Sequence, residues 1–102
     1  MPASDTTDPR VLFDVDYEQR IATITLNRPR YLNALNSELR EALTAQFKKL
    51  TTDDAVRVIV MRGEGRAFCA GQDQNESITM NVETSRLRIA EYCNLYETVR
   101  AV

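Results

Sequence analysis

The order of three segments constrains this chain more than any single residue does. Ile21-Ala-Thr-Ile-Thr-Leu26 is a β-branched run, residues 37–50 carry an apolar stripe at helical spacing, and Val56-Arg-Val-Ile-Val-Met61 is a second, nearly unbroken apolar run. Strand, helix, strand in that order predicts a right-handed crossover to a parallel neighbour. The continuous apolarity of 56–61 predicts a strand covered on both faces of its sheet. Upstream, Val11, Phe13, Val15 and Tyr17 alternate at the period of a half-buried strand. The polar Glu18-Gln-Arg20 then predicts an antiparallel hairpin with 21–26.

Local punctuation supports these elements. Asn27-Arg-Pro29 stops the second strand, because proline lacks the amide proton a sheet ladder needs and pushes Arg28 away from helical geometry. Asn36 or Ser37 can cap a helix to about Leu50, with Leu39, Ala42, Leu43, Phe47 and Leu50 on one stripe and Lys48 and Lys49 suiting its C-terminal dipole. A last helix is expected from Thr84 or Ser85, with Ile89, Tyr92, Cys93, Tyr96 and Val99 on its apolar face. Residues 1–10 read as a loose tail and 11–102 as the folded unit.

A chain of 102 residues can bury roughly 65% of its unfolded surface, enough for a core. The net charge is −2 and basic residues are scattered, so nucleic acid is not an expected partner. The N-terminus is polar, no apolar run approaches a membrane span, and the cytoplasm is the expected location. Cys69 and Cys93 are expected to be reduced, partly buried thiols. The chain has no histidine, which removes the commonest general base and the commonest zinc ligand. No metal site is expected, and a Cys-His or Ser-His-Asp arrangement cannot be assembled from these residues.

Chemistry is concentrated in Arg66-Ala-Phe-Cys-Ala-Gly-Gln-Asp-Gln-Asn-Glu76. Gly65 to Gly71 is one residue too long for a Walker loop and lacks its lysine, and Phe68 stands where a dinucleotide fingerprint needs glycine or alanine. Cys69 has no adjacent base to make it a thiolate. Glu64, Asp73 and Glu76 read as solvated carboxylates or as caps for the turn after Gly71. The remaining reading uses the backbone. A chain turning at Ala70-Gly71 into a helical turn leaves successive N–H groups without intrahelical partners, and such donors can stabilise developing negative charge. A plain tight turn explains those four residues equally well.

The combination with Ile24-Thr-Leu-Asn-Arg-Pro-Arg-Tyr-Leu-Asn-Ala-Leu-Asn36, an amphipathic helix, and Val56-Arg-Val-Ile-Val-Met-Arg-Gly-Glu-Gly-Arg-Ala-Phe-Cys-Ala-Gly-Gln-Asp73 is more specific. These strings resemble the N-terminal part of the enoyl-CoA hydratase/isomerase family, the crotonase superfamily. The resemblance implies an α/β, crotonase-like fold, a ClpP/crotonase spiral of ββα units truncated after its first repeats. It implies that the Gln72 backbone N–H is an oxyanion-hole donor to the acyl thioester oxygen, and that the Ala70 carbonyl accepts from the coenzyme A adenine. Ala70, Gly71, Gln72 and Asp73 would border the ligand, Arg30 would lie near the CoA phosphates, and Tyr31, Leu32 and Ala34 would line the CoA channel. Residues 77–84 would border the acyl pocket.

By the same resemblance, coenzyme A thioester is the substrate, no cofactor is permanently bound, and full-length relatives form trimers or hexamers. The family's second oxyanion glycine and its acid–base carboxylates belong to segments that follow this one, so the chain is expected to be catalytically incomplete alone. Hydration of a 2-enoyl-CoA is the leading expectation. Isomerisation within the same family, or a non-catalytic chain that binds CoA esters or a partner, are the alternatives.

Overall fold

The computed structural model describes residues 10–101. Strand β1 (Val11–Asp16) pairs antiparallel with β2 (Ile21–Leu26), matching Val11 to Leu26 and Asp16 to Ile21. After a 3-10 turn at Pro29–Tyr31 and helix α1 (Ser37–Leu50), strand β3 (Val58–Gly63) returns parallel to β2, with Ala22 opposite Ile59 and Ile24 opposite Met61. Helices α2 (Gln74–Ile78) and α3 (Val82–Ala101) complete the order. Residues 1–9 of the expected tail lie outside the described residues. Arg10 does not behave as tail: its carbonyl accepts the Asn27 N–H at 2.8 Å, extending the hairpin.

The register explains the core. Ala22, Ile24 and Leu26 share one face of the central strand and are essentially fully buried against Leu39, Leu43, Phe47 and Leu50 of α1. Asn36 caps that helix by accepting the Leu39 N–H through its side chain, as the sequence predicts. Ala42 of the expected stripe is only partly buried, and Arg40 and Thr44 are buried instead. Gly63 ends β3 where a Cβ would collide with the Ala67 and Phe68 carbonyls, so the chain can fold back on itself there only without a side chain.

Three expectations about burial are corrected. Strand β3 is not covered on both faces: Ile59 and Met61 pack on the core, whereas Val58 is 51% and Val60 42% exposed. The sheet order β1-β2-β3 leaves β3 at an edge, and α1 covers one face only. Helix α3 begins at Val82, before Thr84, because Asn81 and Thr84 exchange reciprocal hydrogen bonds between side chain and N–H at 2.9 and 2.8 Å. Its expected apolar face does not enter the core. Leu95 and Thr98 are buried towards α1, while Ile89, Tyr96 and Val99 are exposed. Cys93 is likewise exposed, contrary to the expected burial, and Cys69 is half-buried against the core.

Candidate functional site

Two loops build the site. Residues 27–36 turn sharply after β2, with Leu32 and Asn33 in the left-handed region, a conformation that asparagine tolerates better than most residues. The Asn33 side chain is buried and joins three backbones: it accepts the Arg28 N–H at 2.7 Å and donates to the Glu64 and Ala67 carbonyls at 3.0 and 2.9 Å. Residues 66–73 then run alongside this loop. The Ala70 N–H donates to the Leu32 carbonyl (3.0 Å), the Leu35 N–H to the Gly71 carbonyl (2.7 Å), and the Asp73 N–H to the Leu35 carbonyl (3.1 Å). Gly71 has φ of 106°, a turn that an ordinary side chain would strain.

This parallel pairing alternates along the chain, and the alternation leaves the Gln72 N–H and the Ala70 carbonyl without partners among the described residues. Gln72 borders an open groove of about 420 Å³ with Leu35, Gly71, Arg88, Ile89, Tyr92, Cys93 and Tyr96. The apolar stripe of α3 that misses the core therefore forms the wall beside an unpaired backbone donor. Such a combination suits a ligand with an apolar body and a polarisable oxygen.

The other expected site residues divide. Arg30 and Tyr31 border a second groove with Arg10, Asn27, Arg28 and Glu38, and the Arg28 guanidinium lies 4.5 Å from the centre of the Tyr31 ring. Leu32 is half-buried and Ala34 buried, and neither borders these grooves. The Ala34 carbonyl is taken by Arg28 Nη1 at 2.6 Å. Asp73 is also turned inward: it caps α2 by accepting the Glu76 N–H at 3.0 Å and pairs with Arg28 Nη1 at 3.0 Å. Thr79, Met80 and Thr84 border a separate depression with Arg40 and Glu76.

Behind the loop lies a polar network that sequence reasoning missed. Arg40 is 1% exposed, yet it donates to Glu76 at 2.9 Å, to Glu91 at 2.8 Å and to the Leu35 carbonyl at 3.2 Å, with its guanidinium 4.9 Å from the centre of the Tyr92 ring. Glu76 also pairs with Arg88 at 3.1 Å and accepts the Ser37 N–H at 2.8 Å. The available signal was Arg40 and Thr44, four residues apart beside the Leu39–Leu43 stripe, giving one flank of the buried surface a polar register.

These contacts set the acid response. The Glu76 N–H, followed by Arg28, holds the Asp73 carboxyl below its ordinary value despite burial. Burial pushes the Glu76 carboxyl up, but Arg40, the Ser37 N–H and Arg88 outweigh it and the net direction is down. Both groups therefore contribute stability that is fully present above about pH 4.3, the ordinary glutamate value, and is lost as pH falls through their depressed folded values. Acid titration followed by circular dichroism is expected to show unfolding on that limb, less steep in Glu76→Gln and Asp73→Asn. An acid limb identical in both variants and the parent chain contradicts this assignment.

Comparison with known proteins places the chain in a family. The family described as Enoyl-CoA hydratase/isomerase matches residues 16–102. The 1,2-epoxyphenylacetyl-CoA isomerase of Escherichia coli K12 is 44% identical over 59 residues, which are 58% of this chain and 22% of that protein. The crystal structure of an enoyl-CoA hydratase from Mycobacterium smegmatis superposes with a TM-score of 0.82 at 35% identity, over 88% of this chain and 35% of that one. An enoyl-CoA hydratase structure from Bacillus anthracis gives 0.80 at 30% identity, over 89% of this chain and 35% of its own. The fold is α/β of the crotonase type, as expected. The chain thus spans about a fifth to a third of these relatives.

Proposed function

The chain belongs to the enoyl-CoA hydratase/isomerase family, and on that premise we propose that residues 11–102 form an acyl-CoA-binding unit whose Gln72 N–H polarises the thioester carbonyl. The observation that carries this reading is the unpaired Gln72 N–H beside the apolar wall of Ile89, Tyr92, Cys93 and Tyr96. The acyl group lies along that wall. The Ala70 carbonyl accepts from the adenine amino group, and Arg30 and Tyr31 contact the CoA phosphates and chain. Coenzyme A enters as part of the substrate, with no permanently bound cofactor.

Adding water across a 2-enoyl thioester, or moving its double bond, puts enolate charge on the thioester oxygen. A fixed backbone donor at that oxygen stabilises the transition state by about 3 kcal/mol without reorganising during reaction. Hydration is the main reading. Isomerisation within the same family is the second, and the relative 44% identical over 59 residues is named as an isomerase of an epoxyacyl-CoA. Acid–base chemistry needs a carboxylate free to exchange protons, and Asp73 and Glu76 are each engaged by arginine. They are therefore holding groups, and the acid and base come from elsewhere in the working enzyme, a cytoplasmic homotrimer or hexamer acting in fatty acid metabolism. Among the described residues no helix is long and apolar enough to cross a membrane.

The test is a titration of the 102-residue chain with a 2-enoyl-CoA and with free coenzyme A. Saturable binding of the thioester, a red shift of its carbonyl stretch, and no turnover are expected. Equal affinity for both ligands with an unshifted carbonyl sinks the oxyanion reading.

A further inference from the structure

We propose that Arg88 is a positioning residue for the Gln72 amide, an inference that rests on the thioester reading above. Helix α2 follows the donor loop directly, has five residues, and buries none of them; its Ile78 is 79% exposed. Hydrophobic packing therefore does not fix the orientation of residues 70–78. On one side the Leu35 backbone holds Gly71 and Asp73. On the other side, Arg88 of α3 reaches across.

Its contacts are distributed along the segment that must be held. Nη1 donates to Gln72 Oε1 at 2.9 Å, and Nη2 donates to Ser77 Oγ at 3.0 Å and to the Asp73 carbonyl at 3.4 Å. Nε donates to Glu76 Oε1 at 3.2 Å, and that oxygen also accepts from Arg40 Nη2 at 2.9 Å. Helix α1 is thus joined to the donor loop through Glu76 and Arg88. The Arg88 side chain is only 11% exposed, so its contacts are shielded from the screening that weakens surface pairs. A planar fork can hold four acceptors at once; an ammonium with three donors on a flexible stem cannot reproduce that geometry.

The arrangement also assigns a role to the Gln72 side chain. Its carbonyl oxygen accepts from Arg88 beside the groove, while the backbone N–H of the same residue is left without a partner among the described residues. A displacement of about 1 Å in such a donor can cost on the order of a hundredfold in rate, so small losses of orientation have large effects.

Arg88→Met and Arg88→Lys in the 102-residue chain separate this role from simple stabilisation. Without ligand, 15N relaxation is expected to show the Gln72 amide falling from rigid order, about 0.85, to below about 0.6 in Arg88→Met. Amides of α1 and the sheet should keep their order, and Arg88→Lys should recover part of the loss. With a bound 2-enoyl-CoA at saturation, Arg88→Met should abolish the carbonyl red shift, and Arg88→Lys should restore part of it. Gln72→Leu, which removes only the acceptor of Nη1, supplies the same relaxation readout if Arg88→Met fails to fold, with partial loosening expected. A Gln72 amide as rigid in the variants as in the parent, or an undiminished red shift, overturns the proposal. Failure of the parent chain to bind the thioester defeats the underlying reading instead, and the ligand-free relaxation still decides the role of Arg88.

Discussion

Gln72→Pro is expected to abolish the red shift of a bound thioester carbonyl and, where this segment works with a full acid–base set, to cost about 10²–10³ in turnover, the effect of losing one oxyanion donor. Proline removes the N–H and, as alanine also does, the Oε1 acceptor of Arg88, so the difference between the two variants isolates the amide. The neighbouring anchors do not need it: the Leu35 N–H still reaches the Gly71 carbonyl, and the Asp73 N–H still reaches the Leu35 carbonyl. Gln72→Ala keeps the amide but loses one of the four Arg88 acceptors, so its effect should be mild, about tenfold or less by the same reasoning about donor placement. The contrast between the two variants distinguishes a backbone donor from a side-chain contact. Near-normal turnover or an unchanged red shift in a folded Gln72→Pro protein leaves the Gln72 amide with no role at the thioester.

The parts of this site that sequence exposes are those determined by local chemistry. Pro29 ends β2, Asn36 starts α1, and the alternation of Ala22, Ile24 and Leu26 fixes the core face, each through a rule operating within a few residues. The donor role proposed for the Gln72 amide was legible only through two distant strings taken together. Its physical basis, alternate pairing with residues 32–35, depends on two loops meeting in space. Helix α3 could not be oriented from periodicity. Its apolar stripe and its Arg88-Glu91-Leu95-Thr98 face have the same helical spacing, and the charge partner that draws the second face inward, Arg40, lies 51 residues from Glu91. Likewise, the apolar run at 58–61 states a preference for burial but does not say what covers the outer face.

Arg40→Met is expected to destabilise the folded unit strongly, although methionine is apolar and the site is buried. Methionine fills much of the same volume, so the loss is electrostatic: Glu76 and Glu91 lose their shared cation and the Leu35 carbonyl loses a donor. Burial opposes the charge on Arg40, but the hydrogen bonds it donates to Glu91 and then to Glu76 more than restore it, and its pKa lies above the ordinary arginine value. Removing one member of a buried ionic cluster costs about 3–5 kcal/mol, and the lower end applies because Glu76 and Glu91 retain 18% and 30% exposure. For a domain of this size that corresponds to a melting temperature lower by roughly 10–20 °C. Arg40→Lys should recover little, since a point charge cannot span Glu76, Glu91 and the Leu35 carbonyl together. Adding Glu91→Gln to Arg40→Met should recover more, because it removes an uncompensated charge rather than replacing the lost one. Calorimetric melting of these variants checks the order. A melting temperature for Arg40→Met within a few degrees of the parent means that the cluster is solvated in solution and does not fix the Gln72 loop through Glu76 and Arg88.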